Sequence, residues 1–181
     1  QSGWMSAAHT DEALKLTHER ARQWAARGAD VAPLNAREIA ELLGTDRGGY
    51  KGGWVDRRAG SVQPLAYARG LARAAMAAGA VLHGQSPVTG LVREGGVWRA
   101  VTAKGSVRAD RVIIGTNGYT DDLLPGLKRT VIPVRSYIVA TAPLSDNLRK
   151  TILPQGHCVS DSRQLLFYWR LDAHGRLVMG G

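Results

Sequence analysis

The sequence predicts a mixed α/β fold in which helices alternate with parallel and antiparallel strands. The first observation is an alanine-rich helix at residues 65–78 that ends at Gly79 and leads into the strand-like residues 80–83, as in half of an α/β crossover. The second is a set of short strands that glycine-containing turns separate into an antiparallel meander, at residues 88–93, 97–103 and 106–109. The third is a series of alternating strands after Tyr119, which predicts a second, mostly antiparallel layer.

The composition is that of an ordinary folded protein. The chain has 181 residues, of which 44% are hydrophobic and 22% are charged, so we expect a soluble chain with a real core. The net charge of +9 permits an acidic partner, but the basic residues occur as scattered pairs and form no longer run. The single Cys158 excludes an internal disulfide, and the histidines lack the spacing of metal ligands. These features favour a reducing compartment.

Neither end of the chain resembles a natural terminus. The sequence begins at Gln1 in an apolar segment and ends at Gly181 directly after a strand-like run. No stretch approaches the roughly 20 apolar residues of a membrane span, and the start lacks the features of a signal peptide. We therefore expect an internal piece of a larger cytoplasmic protein.

The amino-terminal segment predicts a strand followed by a helix. Residues 3–9 have the character of a short strand. Thr10 is a suitable N-cap and is followed by two acidic residues, which favours a helix from there to Gly28. Trp24 lies on the apolar stripe of this helix, so we expect it in the core rather than stacked on a ligand.

A second helix and a glycine-rich segment follow. Asn35 and Glu38 form the pattern of a capping box, and Gly44 ends the helix that the box opens. Glycines then surround residues 54–55, which predicts one short strand between loops. Residues 48–53 invite comparison with a phosphate-binding loop, but their spacing fits neither the P-loop nor the GxGxxG motif, and turns are the better interpretation.

Pro64 stands at the first position of the alanine-rich helix. The predicted inward face of this helix consists of small and apolar residues, namely Leu65, Ala68, Leu71, Ala72 and Ala75.

The chain is then predicted to return to the parallel sheet. Residues 111–114 end in three apolar residues, as expected for a strand covered on both faces. Beyond Tyr119 we expect a short helix near residues 146–152 and strands at residues 131–141, 157–162, 165–171 and 176–179.

Conventional catalytic constellations do not occur in the sequence. Residues 84–88 lack the final glycine of a GxSxG elbow, and Cys158, with His157 only as a sequence neighbour, is expected to be a small packed residue. The informative segment is residues 112–119, where a predicted buried strand ends in glycine-bracketed polar residues. Such a turn delivers backbone N–H groups to the carboxyl edge of a sheet, where nucleotides bind in open α/β folds. The residues alone leave a plain turn and a cofactor-binding edge as equal alternatives.

Four segments carry a resemblance to a known family. They are GWVDRRAGSVQP at residues 53–64, SPVTGL at 86–91, ADRVIIGTNGY at 109–119 and RLVMGG at 176–181. Together they resemble the FAD-dependent D-amino acid oxidase superfamily, most closely its gamma-glutamylputrescine oxidoreductase-like branch. The resemblance implies part of an FAD/NAD(P)-binding-type domain interleaved with an antiparallel-sheet substrate domain.

The resemblance implies FAD as the cofactor of the larger protein. The implied cofactor-binding residues are mostly small, which lets backbone donors approach the cofactor: Val88, Thr116, Asn117, Gly118, Gly180 and Gly181. The backbone of Val88 is expected beside the adenosine part. The GxGxxG motif, and the acidic residue about 20 positions after it, do not occur in the chain. We therefore expect a fragment that is inactive alone and holds the substrate half and part of the cofactor half.

The family reaction transfers a hydride from the carbon beside an amine to the flavin and leaves an imine, which water hydrolyses. The implied partners are a small-molecule amine substrate, an electron acceptor such as oxygen and the rest of its own polypeptide, with no nucleic acid and no membrane span. Tyr168 and Arg170 alternate in a predicted strand and point the same way, which makes them candidates for the substrate wall. The alternative is that Arg170 is a surface cation and that Tyr168 packs in a core.

The predicted domain organisation follows the same division. Residues 1–63 supply a strand, helices and loops of the substrate domain, residues 64–119 supply part of the FAD-binding domain, and residues 120–181 supply the antiparallel substrate domain. Two rival functions stay open. One is a basic binding module for nucleic acid or an acidic protein, which the net charge of +9 favours, and the other is a noncatalytic truncated member of the family.

Overall fold

The computed structural model describes residues 2–45 and 49–181, which form two compact units. The first unit combines the chain up to Tyr67 with Ser136–Gly181, and the second unit is Ala68–Arg135. The first unit is therefore built from two segments that are distant in sequence. Gln1, and Gly48 of the predicted glycine-rich turns, lie outside the described residues.

Helices and strands alternate along the chain, as the sequence predicts for a mixed α/β fold. The strands are β1 (Trp4–Ala8), β2 (Val31–Asn35), β3 (Gly52–Asp56), β4 (Val88–Glu94), β5 (Val97–Thr102), β6 (Gly105–Ala109), β7 (Ile138–Ala140), β8 (Cys158–Asp161), β9 (Tyr168–Leu171) and β10 (Leu177–Gly180). The α-helices are α1 (Asp11–Ala25), α2 (Ala36–Leu43), α3 (Pro64–Ala77) and α4 (Asp146–Thr151).

The first unit is organised around one large sheet. Its strand order is β2-β3-β1-β8-β9-β10-β7. In this order β1 and β8 run parallel, and the other neighbouring pairs are antiparallel. The parallel pair joins an amino-terminal group of three strands to a carboxyl-terminal group of four.

The two faces of this sheet are covered differently. Successive side chains of a strand point to opposite faces, so Met5 and Ala7 of β1 share a face with Val159 of β8. These residues belong to a core that is completed by apolar side chains from β2, β3, α2 and the segment after α4, namely Leu34, Val55, Ile39, Leu43 and Leu153. Against β1, β2 and β3, α1 packs on the opposite face, where it buries Thr17 and Ala21.

The predicted helix ends are confirmed by their hydrogen bonds. The hydroxyl of Thr10 accepts a hydrogen bond from the backbone N–H of Ala13 at 3.1 Å, and α1 begins there. In the capping box of α2, Asn35 Oδ1 accepts from Glu38 N at 2.9 Å, while Glu38 Oε2 accepts from Asn35 N at 2.7 Å. Gly44 ends α2 at φ +77°, and a Cβ atom there would overlap the backbone carbonyl of Thr151.

The second unit contains the predicted meander but no core. Antiparallel pairs join β4 to β5 and β5 to β6. None of the residues of Ala68–Arg135, all of which the structure describes, is buried. The predicted inward face of α3 is not buried either, since Leu65 and Leu71 are both exposed. Because burial of apolar surface is the main driving force of folding, this unit has little of its own to stabilise it.

The predicted parallel strands at residues 80–83 and 111–114 are wrong, because neither segment has strand conformation. The predicted strand at residues 131–141 is also reduced, to β7. A strand of a parallel sheet depends on hydrogen bonds to neighbouring strands. No described segment pairs with residues 80–83 or 111–114, so their apolar character alone does not make them strands.

The prediction that Trp24 lies in the core is also wrong. The Trp24 side chain is exposed, and the guanidinium carbon of Arg58 lies 5.3 Å from the centre of its ring. Such a cation–π contact uses the ring face at the surface of the unit. The helical stripe predicts burial only if α1 is covered along its whole length, and its last turn is not.

His157 provides a test of packing by pH. Its imidazole is buried, its Nδ1 atom has no hydrogen-bond partner among the described residues, and burial together with the nearby charge of Arg57 lowers its pKa. The unfolded chain therefore binds a proton more readily than the folded chain, so we expect the free energy of unfolding to fall as the pH drops below about 6.5, the usual pKa of histidine. His157→Phe should remove much of this decline.

Urea unfolding between pH 5 and 8, followed by tryptophan fluorescence, measures the effect. A matched control is His83→Phe, which replaces an exposed histidine and should keep the wild-type pH dependence. An unchanged slope in His157→Phe would contradict the assignment of the acid sensitivity to this side chain.

Candidate functional site

Four of the candidate residues lie together at the centre of the carboxyl-terminal group of strands. Tyr168 and Arg170 of β9 have their side chains on one face of the sheet, because they are two residues apart. In the antiparallel register Tyr168 is paired with Gly180 of β10, and Arg170 is paired with Val178. Gly181 follows directly after β10. The sequence-based prediction that Tyr168 and Arg170 point the same way thus agrees with the register of the sheet.

The Tyr168 ring occupies the space that a side chain at position 180 would need. A Cβ atom built on Gly180 would overlap the Tyr168 ring and its hydroxyl. The Tyr168 hydroxyl is 2.8 Å from Ser136 Oγ, and the Ser136 hydroxyl donates to the Gly181 carbonyl oxygen at 3.3 Å. Because the Ser136 proton is used on that carbonyl, Tyr168 is the donor in the first hydrogen bond. The tyrosine is therefore held across the glycine pair.

The Arg170 guanidinium has no counter-ion among the residues that the structure describes. It is half-buried and makes no hydrogen bond or ion pair with any residue in the described part of the chain. It lines a cavity of about 500 Å³ together with Gln63, His174 and Arg176. A half-buried cation with no anionic partner is able to accept one from solution.

The neighbouring Arg176 differs from Arg170 because it is already paired. Its Nη2 atom is 2.6 Å from Asp172 Oδ2, and its Nε atom donates to the same oxygen at 2.7 Å. Hydrogen bonds from the backbone and side chain of Arg176 lower the pKa of Asp172 to about 2. The positive charge that remains available at this cavity is therefore mainly that of Arg170.

Cys158 lies near the same guanidinium. Burial raises the pKa of the Cys158 thiol, and the positive charge of Arg170 acts in the opposite direction. The thiol is a weak donor to the Gly3 carbonyl oxygen, at 3.6 Å. A protonated thiol of this kind acts as a small apolar surface, in line with the prediction of a packed cysteine.

The other candidate residues belong to the second unit. Val88 begins β4 and lines a cavity of about 500 Å³. Thr116 precedes a single turn of 3-10 helix, and its hydroxyl is 2.8 Å from that of Thr120. Asn117 has φ +47°, a left-handed conformation that is uncommon outside glycine and occurs often at functional sites. A Cβ atom on Gly118 would meet no atom within 4 Å, so this glycine faces open space.

Sequence reasoning missed two residues that organise the first group. Ser136 lies just before β7 and fixes the Tyr168 hydroxyl, as described above. Asp161 ends β8, and its buried carboxylate accepts backbone hydrogen bonds from Arg163 and Phe167. An aspartate followed by a serine after a strand is a signal for such a turn, whereas no local pattern indicates Ser136.

The described residues contain neither a candidate metal site nor a membrane-spanning helix. Within residues 2–45 and 49–181, no group of three or more histidine, cysteine, aspartate or glutamate side chains is placed to hold a metal ion. No helix in the same part of the chain combines the length and apolar character that crossing a membrane requires.

The chain matches a known protein family along its whole length. The sequence model of the FAD dependent oxidoreductase (DAO) family matches residues 1–181. Among curated proteins, the chain is 38% identical over 148 residues to the probable oxidoreductase OrdL of Haemophilus influenzae. The matched region covers 79% of this chain and 34% of that protein. The chain is also 33% identical over 183 residues to the gamma-glutamylputrescine oxidoreductase of Escherichia coli. This match covers 99% of this chain and 42% of that protein.

Solved structures share the fold. The L-proline dehydrogenase of P. horikoshii superposes with a TM-score of 0.79 at 19% identity, over 99% of this chain and 48% of that chain. The glycine oxidase of Geobacillus kaustophilus gives a TM-score of 0.74 at 20% identity, over 98% of this chain and 46% of that chain. The chain thus spans about a third to two-fifths of the length of the two curated relatives named above.

The close approach of Gly180 to Tyr168 predicts a strong coupling between the two positions. Gly180→Ala places a methyl group where the Tyr168 ring lies, so we expect it to lower the free energy of unfolding by about 1–3 kcal/mol. In a Tyr168→Ala background the space is free, and the same substitution should cost far less. Urea unfolding of the single and double variants measures the coupling.

Gly118→Ala is the control, since it adds a methyl group with no neighbour within 4 Å and should change stability by less than about 0.5 kcal/mol. If Gly180→Ala has the same cost with and without the Tyr168 ring, the packing described here is wrong.

Proposed function

Because the chain belongs to the FAD dependent oxidoreductase (DAO) family, we propose that it forms part of an enzyme that oxidises an amine or amino acid derivative to an imine. The observation that carries the proposal is the sheet face on which Tyr168 and the unpaired Arg170 adjoin Gly180. This face offers an aromatic ring and a cation that can bind and orient a substrate, which suits a reaction whose redox chemistry a cofactor supplies.

We further propose that the rest of the polypeptide completes the enzyme. The two curated relatives named above are more than twice as long as the part that this chain matches. The second unit exposes apolar side chains without burying any, including Leu71, Met76, Val81, Val112 and Ile113. Additional chain packed against these side chains would supply the core that the second unit lacks. This proposal explains why no GxGxxG motif occurs within the 181 residues.

The residues present fit FAD in two places. Positions 180 and 181 have no room for a side chain, since Tyr168 and Phe167 fill the space beside them, and Gly181 exposes its backbone. Asn117 has a left-handed conformation that turns the backbone at residues 116–118, and the space beside Gly118 is open. We assign Thr116, Asn117 and Gly118 as residues that approach the cofactor, with the backbone of Val88 beside its adenosine part.

The chemistry that FAD supplies when bound is acceptance of a hydride from the carbon beside the amine. The substrate nitrogen also loses a proton, so a carbon–nitrogen double bond forms, and water then hydrolyses the imine to a carbonyl compound and a free amine or ammonia. An acceptor such as oxygen would take up the two electrons. The protein residues bind the substrate, orient it and exclude water from it.

Arg170 and Tyr168 divide this binding between them. The Arg170 guanidinium can hold a substrate carboxylate by a bidentate, charge-assisted pair. The Tyr168 ring forms one wall of the substrate site. The hydrogen bond between the Tyr168 hydroxyl and Ser136 fixes the orientation of the ring. Two residues along a strand span about 7 Å, so the carboxylate would sit several bonds from the wall. An amine that carries a distal carboxylate, such as a gamma-glutamyl amine, has this layout.

The cofactor assignment predicts a selective effect at Gly118. The full-length protein should show flavin absorbance, and Gly118→Val should lower the ratio of flavin to protein. The melting temperature of the flavin-free protein should stay nearly unchanged, because the added side chain meets no atom of this chain. Absorbance after gel filtration and thermal unfolding measure both quantities. Gly84→Val, which also points into open space, is the matched control. Full flavin content in Gly118→Val would remove this turn from the cofactor site.

The substrate assignment predicts a selective effect at Arg170. Arg170→Ala in the full-length protein should lower kcat/KM roughly 30-fold to 1,000-fold, or about 2–4 kcal/mol of transition-state binding, for an amine with a distal carboxylate. An amine of the same length without the carboxylate should lose little, and the flavin spectrum should not change. Arg37→Ala, which removes an exposed arginine on α2, is the control. An equal loss for both amines, or for neither, would contradict the carboxylate role.

A further inference from the structure

A cavity of about 370 Å³ lies between α1 and the sheet of the first unit. The side of α1 that lines it carries Leu16, Thr17 and Arg20, whose spacing of three and four residues places them on one face of the helix. From the sheet, Ser6 of β1 and Ser160 of β8 also line it. The cavity is therefore enclosed by one helix and two neighbouring strands.

The pleat of the sheet places the two serines side by side. Ser6 is paired with Ser160 in the parallel register of β1 and β8. Met5 and Val159, one position earlier in each strand, enter the core, so the two serine side chains lie on the other face, where α1 packs. Neighbouring strands are about 4.8 Å apart, which lets both hydroxyls reach one small group of a ligand.

Ser6 is the residue that points to a ligand. It is only 6% exposed, and its hydroxyl makes no hydrogen bond with any described residue. In the described part of the chain, the unpartnered side-chain atoms that are fully enclosed are Trp54 Nε1 and His157 Nδ1. The Ser6 hydroxyl is therefore unpartnered but still open to the cavity that it lines. Polar groups at buried positions normally have a partner, because desolvation without a hydrogen bond is costly.

The other polar groups of the cavity are also donors with nothing to donate to. Ser160 Oγ accepts a hydrogen bond from Trp4 Nε1 at 3.2 Å, and its own proton has no acceptor among the described residues. Arg20 is exposed and forms no ion pair within the same residues. The Thr17 hydroxyl differs, since it donates to the Leu14 carbonyl oxygen at 2.9 Å. An excess of donors beside a positive charge suits an anionic acceptor.

The nearby acidic groups do not cancel this charge. Asp161 borders the cavity, but its carboxylate is fully buried and is paired with the Arg163 guanidinium. Glu19, the neighbour of Arg20 on α1, is paired with Arg22. The positive charge of Arg20 is therefore left for a ligand.

We propose that this cavity binds a small organic carboxylate, whose charged end contacts Ser6, Ser160 and Arg20 and whose carbon body lies against Trp4 and Leu16. The volume is within the range of sites that hold small molecules. The inference goes beyond the proposed function, because neither Tyr168 nor Arg170 lines this cavity.

The experiment is a calorimetric titration of the full-length protein with butyrate. It uses an Arg170→Ala background, so that a carboxylate held by Arg170 does not contribute to the signal. Butyrate should bind saturably, at one molecule per chain. Butylamine and butan-1-ol have similar carbon bodies without the negative charge and should not bind. Inorganic phosphate, which has no carbon body to pack against the Trp4 ring, should bind more weakly than butyrate.

Substitutions in the same background assign the site. Ser6→Ala and Arg20→Gln should each weaken butyrate binding by about tenfold or more, as expected for loss of a hydrogen bond to a charged group. Arg27→Gln, just after α1, removes the same charge away from the cavity and should bind butyrate like the background protein. Because Arg20 is exposed, Arg20→Gln keeps the fold and tests the site even if Ser6→Ala lowers the melting temperature.

The readout requires neither flavin nor turnover, so the inference and the proposed function fail separately. Absence of butyrate binding, equal affinity for butan-1-ol, or tighter binding of phosphate would overturn the carboxylate site. Unchanged butyrate affinity in Arg20→Gln, or an equal loss in Arg27→Gln, would overturn its placement beneath α1.

Discussion

The parallel pairing of β1 with β8 is the contact on which the rest of the first unit depends. Residues 4–7 pair with Cys158–Asp161, more than 150 positions later, and every path through the sheet from β2 to β7 crosses this pair. Without it the sheet would separate into groups of three and four strands. The core would separate as well, because Met5 and Val159 face each other across the same pair. The hydrogen bonds between β1 and β8 thus set the position of Tyr168 relative to the amino-terminal strands.

The two faces of the sheet carry different kinds of side chain along β1 and β8. Along β1 and β8, one set of alternate side chains enters the core, and the other set forms a row on the opposite face. In that row Trp4 Nε1 donates to Ser160 Oγ at 3.2 Å, Ser160 is paired with Tyr168, and Tyr168 is paired with Gly180. Polar atoms and a glycine can occupy this row because the hydrophobic core cluster lies on the other face of these strands.

Sequence patterns predicted the features that depend on short-range contacts. The N-cap at Thr10 and the capping box of α2 each involve residues three positions apart, and the shared face of Tyr168 and Arg170 follows from strand periodicity. The predicted strands at residues 80–83 and 111–114 failed because pairing depends on a neighbour that the described chain does not provide. The hydrogen bond between Ser136 and Tyr168 joins residues 32 positions apart and has no local signal. The family was predicted correctly because four spaced segments carried the resemblance.

The interleaved order of the two units has a consequence for biosynthesis. The ribosome releases β1, β2 and β3 first, then all of the second unit, and only then β8. Closing a long loop adds little to the equilibrium cost, about 0.6 kcal/mol for each doubling of length, but contacts between distant residues form slowly. During that interval one edge of β1 has no strand beside it and is open to pairing with another chain. Slower translation between β3 and β8 would prolong this exposure and increase the demand for chaperones.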